Sequence, residues 1–282
     1  MKLDRSALDA HPLPPVIDGD KETKGTILVI AGSREVPGAA LLTATAAMRA
    51  GAGKLRIATV ESAEIQVGLA MPEAMVIGVA EAADGGFTEA AAKMLAEQLA
   101  DVNAVVAGPG MKGNDSCRVL ARTLLENAAA LALDVALLKS LRSSDEKRRV
   151  TPVLLPDGDE LASLLGCDEA EVERDPLGCG KRAAELYRSV VLVKGATSHV
   201  VTPEGHVWTY EGGAPGLGVS GSGDVLAGIV GGVLARGAEP LSALLWGVWL
   251  HGEAGAALAK KVGPIGFLAR DIAGEVPALL PR

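Results

Sequence analysis

Aromatic side chains are nearly missing from this chain: three Trp, two Tyr and two Phe in 282 residues. Hydrophobic residues still make up 49%, so a core is available, but it must be built from Ala, Val, Leu and Ile. The 35 glycines, well above the usual share of ~7%, fit such a core because they let backbones approach closely. Cysteine is also sparse. Cys117, Cys167 and Cys179 are odd in number and widely spaced, which matches neither a disulfide framework nor a zinc motif. They read as reduced, structural thiols of a cytoplasmic protein. Basic charge is not in excess: the net charge is −8, so neither nucleic acid nor an anionic membrane is an expected partner. Any phosphate bound here must be met by backbone N–H groups and a few basic side chains. No apolar run reaches the ~18 residues of a membrane span. The nearest, 241–258, contains His251 and Glu253 and reads as a core helix. The opening residues lead into charged, proline-rich sequence without the apolar centre of a signal peptide.

What is present alternates. Short apolar runs at 26–31, 54–59, 74–79, 103–107, 129–133, 153–155 and 190–194 read as buried strands. Helical patterns at 38–50, 88–100, 115–127, 159–165 and 176–188 separate them. This alternation implies an α/β fold, a three-layer α/β/α arrangement around a central, mostly parallel sheet. Segments 199–202 and 206–210 flank Pro203-Glu204-Gly205 and read as a hairpin. After it come helices at 225–235, 241–260 and, with breaks, 267–280. Residues 1–24 read as an extended lead-in, because Pro12, Pro14 and Pro15 disfavour a helix and 18–24 is charged. Residues 141–149 read as a charged surface loop, and 25–282 as a single domain without internal repeats.

The chemistry concentrates at 218–237. Gly218, Gly221 and Gly223 precede Asp224, and an apolar helix follows at once. A helix start offers unpaired N–H groups and a positive dipole end, which suits a phosphate or a developing anion. Gly221, Ser222 and Gly223 are the expected anion hole. A carboxylate at Asp224 is placed to take a proton from a hydroxyl beside it. Glycine-rich turns also follow three strands, at Gly32, at Gly108-Pro109-Gly110 and at Lys194-Gly195. In open parallel sheets, ligands sit beyond the strands' carboxyl ends, so these turns line one crevice. Lys194 ends a buried strand, an unusual place for a purely solvated lysine. A P-loop is absent, since Gly53-Lys54 is followed by Leu55 and Met48 stands at the first glycine position. Gly216-Leu-Gly218-Val-Ser-Gly221 matches G-x-G-x-x-G but follows a hairpin and lacks the βαβ unit of a dinucleotide fold.

Several runs are more particular: Pro37-Gly-Ala-Ala-Leu-Leu, Ala47-Met-Arg-Ala-Gly-Ala-Gly-Lys54, Met71-Pro-Glu-Ala-Met75, Gly108-Pro-Gly-Met111 and Ser220-Gly-Ser-Gly-Asp-Val-Leu-Ala-Gly228. On these the chain resembles the NAD(P)H-hydrate dehydratases of the ribokinase-like superfamily. The resemblance implies repair of reduced nicotinamide cofactor hydrated across its ring C5–C6 bond. ADP, or ATP, phosphorylates the ring hydroxyl with Mg²⁺ present, and phosphate then leaves. By carry-over, Asp224 is the catalytic base. Lys194, Gly195, Ala196, Thr197, Ser198 and Gly223 contact the nucleotide, and Ala39, Gly110, Asp157 and Asp224 contact the hydrated NADH or NADPH. The resemblance also implies a homotetramer and a separate NAD(P)H-hydrate epimerase as functional partner. Metal ligands are not assigned.

Two motifs depart from the family pattern. Leu155-Pro-Asp157-Gly-Asp-Glu160 stands where the family has T-P-H-P-G-E, so an acceptor replaces a histidine. Asp134-Val-Ala-Leu-Leu138 replaces D-A-[DG]-A-L with bulkier residues. Two other readings share the site: a ribokinase-like kinase for a hydroxyethylthiazole, pyridoxal or sugar, and a nucleotide-binding homologue that has lost catalysis. Of the histidines, His251 reads as a core residue, and His199 and His206 as surface residues flanking the hairpin. Asp157, Asp159 and Glu160 read equally as the acidic first turn of a helix or as metal ligands.

Overall fold

The computed structural model describes residues 1–15, 23–143 and 148–281. The charged stretch at 18–22 and the middle of the 141–149 loop lie outside the described residues. The strands are β1 (Thr26–Ile30), β2 (Lys54–Val60), β3 (Ala74–Val79), β4 (Ala104–Ala107), β5 (Leu131–Leu133), β6 (Val153–Leu154), β7 (Val190–Val193), β8 (Ser198–Val201) and β9 (Val207–Tyr210). They form a nine-stranded sheet in the order β3-β2-β1-β4-β5-β6-β7-β8-β9. The pairs from β3 through β7 are parallel, and the β7-β8-β9 end is antiparallel. Parallel strands here are apolar on both faces, as the fully buried β1 and β4 illustrate, because helices cover each side.

The helices are α1 (Arg5–Asp9), α2 (Gly38–Arg49), α3 (Glu64–Ala70), α4 (Glu89–Gln98), α5 (Asp115–Asn127), α6 (Ala136–Lys139), α7 (Gly158–Leu165), α8 (Glu169–Arg174), α9 (Pro176–Leu186), α10 (Ser222–Ala235), α11 (Pro240–Lys261) and α12 (Ala269–Leu279). Helices α2, α10, α11 and α12 pack on one another in one layer, and α4 through α9 are linked by contacts in another. Helix α10 is the centre of its layer, touching β1, β4 and β5. Its glycines decide how closely it sits. A Cβ at Gly228 or Gly232 would run into the backbone carbonyls of Thr43 and Ala47 on α2. The two helices therefore meet backbone to backbone, the packing that a core poor in aromatics requires.

Two features of the lead-in differ from the sequence expectation. Residues 5–9 are helical, with Asp4 capping α1 by accepting from Ala7 N–H at 3.0 Å. The prolines come after this helix, so they end it without preventing it. Residues 1–3 also cover the β9 edge: Leu3 N–H donates to Thr209 at 2.7 Å and Thr209 N–H to Met1 at 2.8 Å. Among the described residues no helix is long and apolar enough to cross a membrane.

Candidate active site

The strand order reverses about β1, whose neighbours β2 and β4 lead the chain in opposite directions. That is the switch point at which α/β sheets open a crevice. Beyond β1 and β4 the turns touch, with Gly32 N–H donating to the Pro109 carbonyl at 2.8 Å. Gly110 there abuts Ala39 near the start of α2, and Ala39 is buried. Two of the four residues expected at the hydrated cofactor, Ala39 and Gly110, are thus brought together as one tightly packed wall.

The start of α10 faces the same crevice. Gly221 is its N-cap at φ +85°, a conformation that glycine adopts without strain. No side chain caps this helix. Ser222 N–H donates to the Val219 carbonyl at 3.1 Å, and the first α-helical bond runs from Val225 N–H to Gly221 at 3.1 Å. Among the described residues, the N–H groups of Gly221, Gly223 and Asp224 are left without a backbone acceptor. This corrects the expected anion hole at one position. The Ser222 N–H is spent in the turn, and its hydroxyl lies 3.0 Å from His251 Nε2, pointing into the core. Gly221, Gly223 and Asp224 supply the free donors instead.

Asp224 Oδ2 lies 3.8 Å from where a Gly221 Cβ would be, so the carboxylate sits over its own helix start. Burial is the main cause that pushes its pKa up, to about 6, and the nearby Asp134 carboxylate adds to it. Lys194 acts in the opposite sense. A carboxylate of that basicity remains ionised at neutral pH and takes a proton more readily than an ordinary aspartate.

Lys194, at the end of β7, joins the two groups. Its Nζ donates to Asp134 Oδ1 at 3.2 Å and lies 3.8 Å from the position of a Gly223 Cβ. Asp134 directly follows β5 and is almost fully buried. Gly195, Ala196 and Thr197 form an exposed loop, and Ser198 begins β8 with its hydroxyl 3.4 Å from the Gly195 carbonyl. This wall is open to solvent where the Ala39–Gly110 wall is closed.

Asp157 behaves differently from its expected role at the substrate. It is the N-cap of α7: its Oδ1 accepts from Glu160 N–H at 2.8 Å, and Glu160 returns the bond to Asp157 N–H at 2.8 Å. This reciprocal box fixes both side chains on their own helix. Asp159 pairs instead with Lys139 at 2.5 Å. Glu160 is buried, and desolvation is the chief reason its pKa rises to about 7, with Asp134 adding to it.

Sequence reasoning gave no role to Asp134 or to the His251 contact, and read Glu160 only as a first-turn acid or a metal ligand. For Asp134 the available signal was a carboxylate placed directly after a three-residue apolar strand. For Glu160 it was the D-x-x-E spacing of a capping box. His251 is half-buried, and desolvation of its ring lowers its pKa to about 4, so it meets Ser222 as a neutral ring. Beside the α10 start a cavity of about 520 Å³ opens, lined in part by Leu42, Val219, Ser220, Val225 and Arg270.

Comparison with known proteins accords with this geometry. The NAD(P)H-hydrate dehydratase family profile matches residues 27–278. The chain is 44% identical to the ADP-dependent (S)-NAD(P)H-hydrate dehydratase of Xanthomonas campestris, over 98% of this chain and 95% of that protein. It is 37% identical to the bifunctional NAD(P)H-hydrate repair enzyme Nnr of Gloeobacter violaceus, over 95% of this chain but only 52% of that protein. Among solved structures, the ADP/ATP-dependent NAD(P)H-hydrate dehydratase of Bacillus subtilis, co-crystallised with ATP and Mg²⁺, superposes with a TM-score of 0.84. Identity there is 27%, covering 99% of this chain and 96% of the other. By its sequence, and by a ribokinase-like fold with an open helix start at the sheet's switch point, the chain belongs to the NAD(P)H-hydrate dehydratase family.

Proposed function

We propose that this protein is an ADP-dependent (S)-NAD(P)H-hydrate dehydratase, restoring NADH or NADPH from the form hydrated across the ring C5–C6 bond. One observation carries the chemistry: a basic, partly buried carboxylate, Asp224, sits over a helix start whose Gly221, Gly223 and Asp224 N–H groups are unpaired, with Lys194 beside them. Identity of 44% to a protein of that named activity supports the substrate.

Asp224 takes the proton of the ring hydroxyl. The freed oxygen attacks the terminal phosphorus of the nucleotide, and the bond from that phosphorus to the rest of the nucleotide breaks. Gly223 N–H, Asp224 N–H and the Lys194 ammonium hold the charge that spreads over the transferring phosphoryl group. The ring nitrogen's lone pair then expels phosphate from C6. Loss of a proton from C5 restores the double bond.

The nucleotide lies along Lys194, Gly195, Ala196, Thr197, Ser198 and Gly223, and the hydrated ring lies against the Ala39–Gly110 wall. The acids around Lys194 outnumber it, since Glu160 and Asp224 each feel both Lys194 and the Asp134 carboxylate. That donor set fits Mg²⁺, which binds through one or two carboxylates together with phosphate oxygens. Glu160 and Asp134 are the side chains to hold it, directly or through water. When bound, the ion neutralises charge between the nucleotide's phosphates.

In the same reading, residues 25–282 work as one ribokinase-like unit in the cytoplasm, assembled as a homotetramer. The chain spans about half of the bifunctional repair enzyme it matches. The bifunctional repair enzymes among its relatives support functional pairing with an epimerase activity that supplies the S epimer. The test is recovery of reduced-nicotinamide absorbance from the hydrate with ADP or ATP, and release of inorganic phosphate, for the wild type and Asp224→Asn. A stable phosphorylated product with no phosphate release would instead mark a kinase.

A further inference from the structure

The three cysteines look unrelated along the sequence, but folding brings two of them together. A left-handed Gly166 (φ 63°) ends α7, and Cys167 N–H closes the turn on the Ala162 carbonyl at 3.1 Å. This turn sets Cys167 at the entrance to α8. Helix α8 runs only six residues and carries Glu171, and Asp175 then caps α9 through Gly178 N–H at 2.8 Å. Cys179 lies in the first turn of α9. The two sulfurs and a Glu171 carboxylate oxygen all fall within 4.8 Å of one another. Among the described residues no other group of three Cys, His or acidic side chains converges this closely.

We propose that Cys167, Glu171 and Cys179 form a binding site for one thiolate-preferring divalent cation of the zinc type, completed by a water. The chemistry of the donors selects the ion. Two sulfurs exclude Mg²⁺ and Ca²⁺, which take oxygen ligands, and favour a soft or borderline cation. Tetrahedral zinc with sulfur ligands at ~2.3 Å requires sulfurs about 3.8 Å apart. Side-chain rotation of Cys167 and Glu171, both only partly buried, closes the remaining gap.

Charge balance supports the site. Two thiolates and a carboxylate carry three negative charges, the cation offsets two, and a guanidinium is in place for the third. Arg182 is paired with Oε1 of Glu171, which leaves Oε2 for the ion. On binding, both thiol protons pass to solvent, as thiolate coordination requires. The other charged neighbour facing Cys179 is Asp175, an attractive one for a cation.

The location gives the site a consequence. Helix α7 starts with Asp157 and Glu160 at the crevice, and α9 packs on β7, the strand directly followed by Lys194. A cation joining the far end of α7 to the near end of α9 stiffens the support of the nucleotide wall from outside the crevice.

The test uses the whole chain, reduced and freed of metal with a chelator, titrated with Zn²⁺ or with Co²⁺ as a coloured substitute. The expected result is one equivalent bound, with sulfur-to-cobalt charge-transfer absorption. Zn²⁺ at a hundredfold excess over its dissociation constant should raise Tm by about 5 °C. Alkylation mapped by peptide mass should find Cys167 and Cys179 protected by Zn²⁺, and Cys117 unaffected. Cys167→Ser and Cys179→Ser should abolish binding, and Glu171→Gln should weaken it about tenfold. The wild-type alkylation map does not depend on the folding of any variant. No saturable binding, or equal protection of all three thiols, overturns the proposal.

Discussion

Helices α7 and α10 start at the rim of the same crevice and treat their first N–H groups in opposite ways. Asp157 and Glu160 close the start of α7 with a reciprocal pair of 2.8 Å bonds. Gly221 leaves the start of α10 open, without a side-chain cap. A side-chain cap stabilises a helix by about 1 kcal/mol, so α10 forgoes that stability and keeps donors free for an anion. Acidic residues stand in both first turns. At α7 they satisfy their own backbone, whereas at α10 the acid is held over unpaired amides. Helix propensity does not distinguish the two, and the decisive difference is the glycine at the cap.

Breaking the open start at its acid should have the largest effect. Asp224→Asn keeps shape and hydrogen-bonding but removes the base, and kcat should fall about 10³-fold with nucleotide affinity nearly unchanged. Rate assays paired with nucleotide titration check both parts. In the wild type, kcat/KM should drop tenfold per pH unit below about 6, where Asp224 becomes protonated. A pH profile flat from 5 to 8 would remove Asp224 from the role of base.

Closing the cradle should cost less. Gly221→Ala forces a side chain into φ +85° and towards Leu42 Cδ1, 2.6 Å from the new Cβ. About 1–2 kcal/mol of stability should be lost, together with roughly tenfold in turnover as the amides shift. Thermal melts and the dehydration assay measure the two losses separately.

Opening the closed start should affect stability more than chemistry. Asp157→Ala should cost about 1 kcal/mol, or about 2 °C in Tm, with turnover changed less than threefold. A loss comparable to that of Asp224→Asn would show that the carboxylate acts on substrate after all.

The smallest effect is one of sign. Glu160 has a folded pKa of about 7, above the ordinary 4.5. Between those values the folded chain keeps a proton that the unfolded chain has released. Its contribution to stability is fullest below the ordinary value and is lost as pH rises through 7. Glu160→Gln retains a capping side chain but no longer titrates. Its Tm relative to wild type should therefore be higher at pH 8 than at pH 5, and an equal offset at both would contradict the burial cause.

The sequence was most legible where a signal is local. Strand β3 and helix α5 fall at the expected boundaries, 74–79 and 115–127, because each combines a clear period with clear ends. Asp224, Lys194 and the glycine turn were visible because strand-end and helix-start positions can be read from neighbours. Helices α3 and α8, of seven and six residues, were not read, since so short a stretch shows too little period. Asp134 escaped, and Glu160 stayed undecided between helix cap and metal ligand, for another reason. Their importance comes from burial against Lys194 and each other, and strands β5, β6 and β7 create that proximity only in three dimensions. Ser222 was misjudged because its N–H is spent on Val219, a turn bond that residue type does not reveal.

The fusion of α10 to α2 at Gly228 and Gly232 has a mechanical result. With main chains touching, the helix that carries Asp224 has no slack to slide, tilt or breathe during a catalytic cycle. The exposed 195–197 loop has no such anchor, and hydrogen exchange should find it among the fastest segments while the α10 amides are among the slowest.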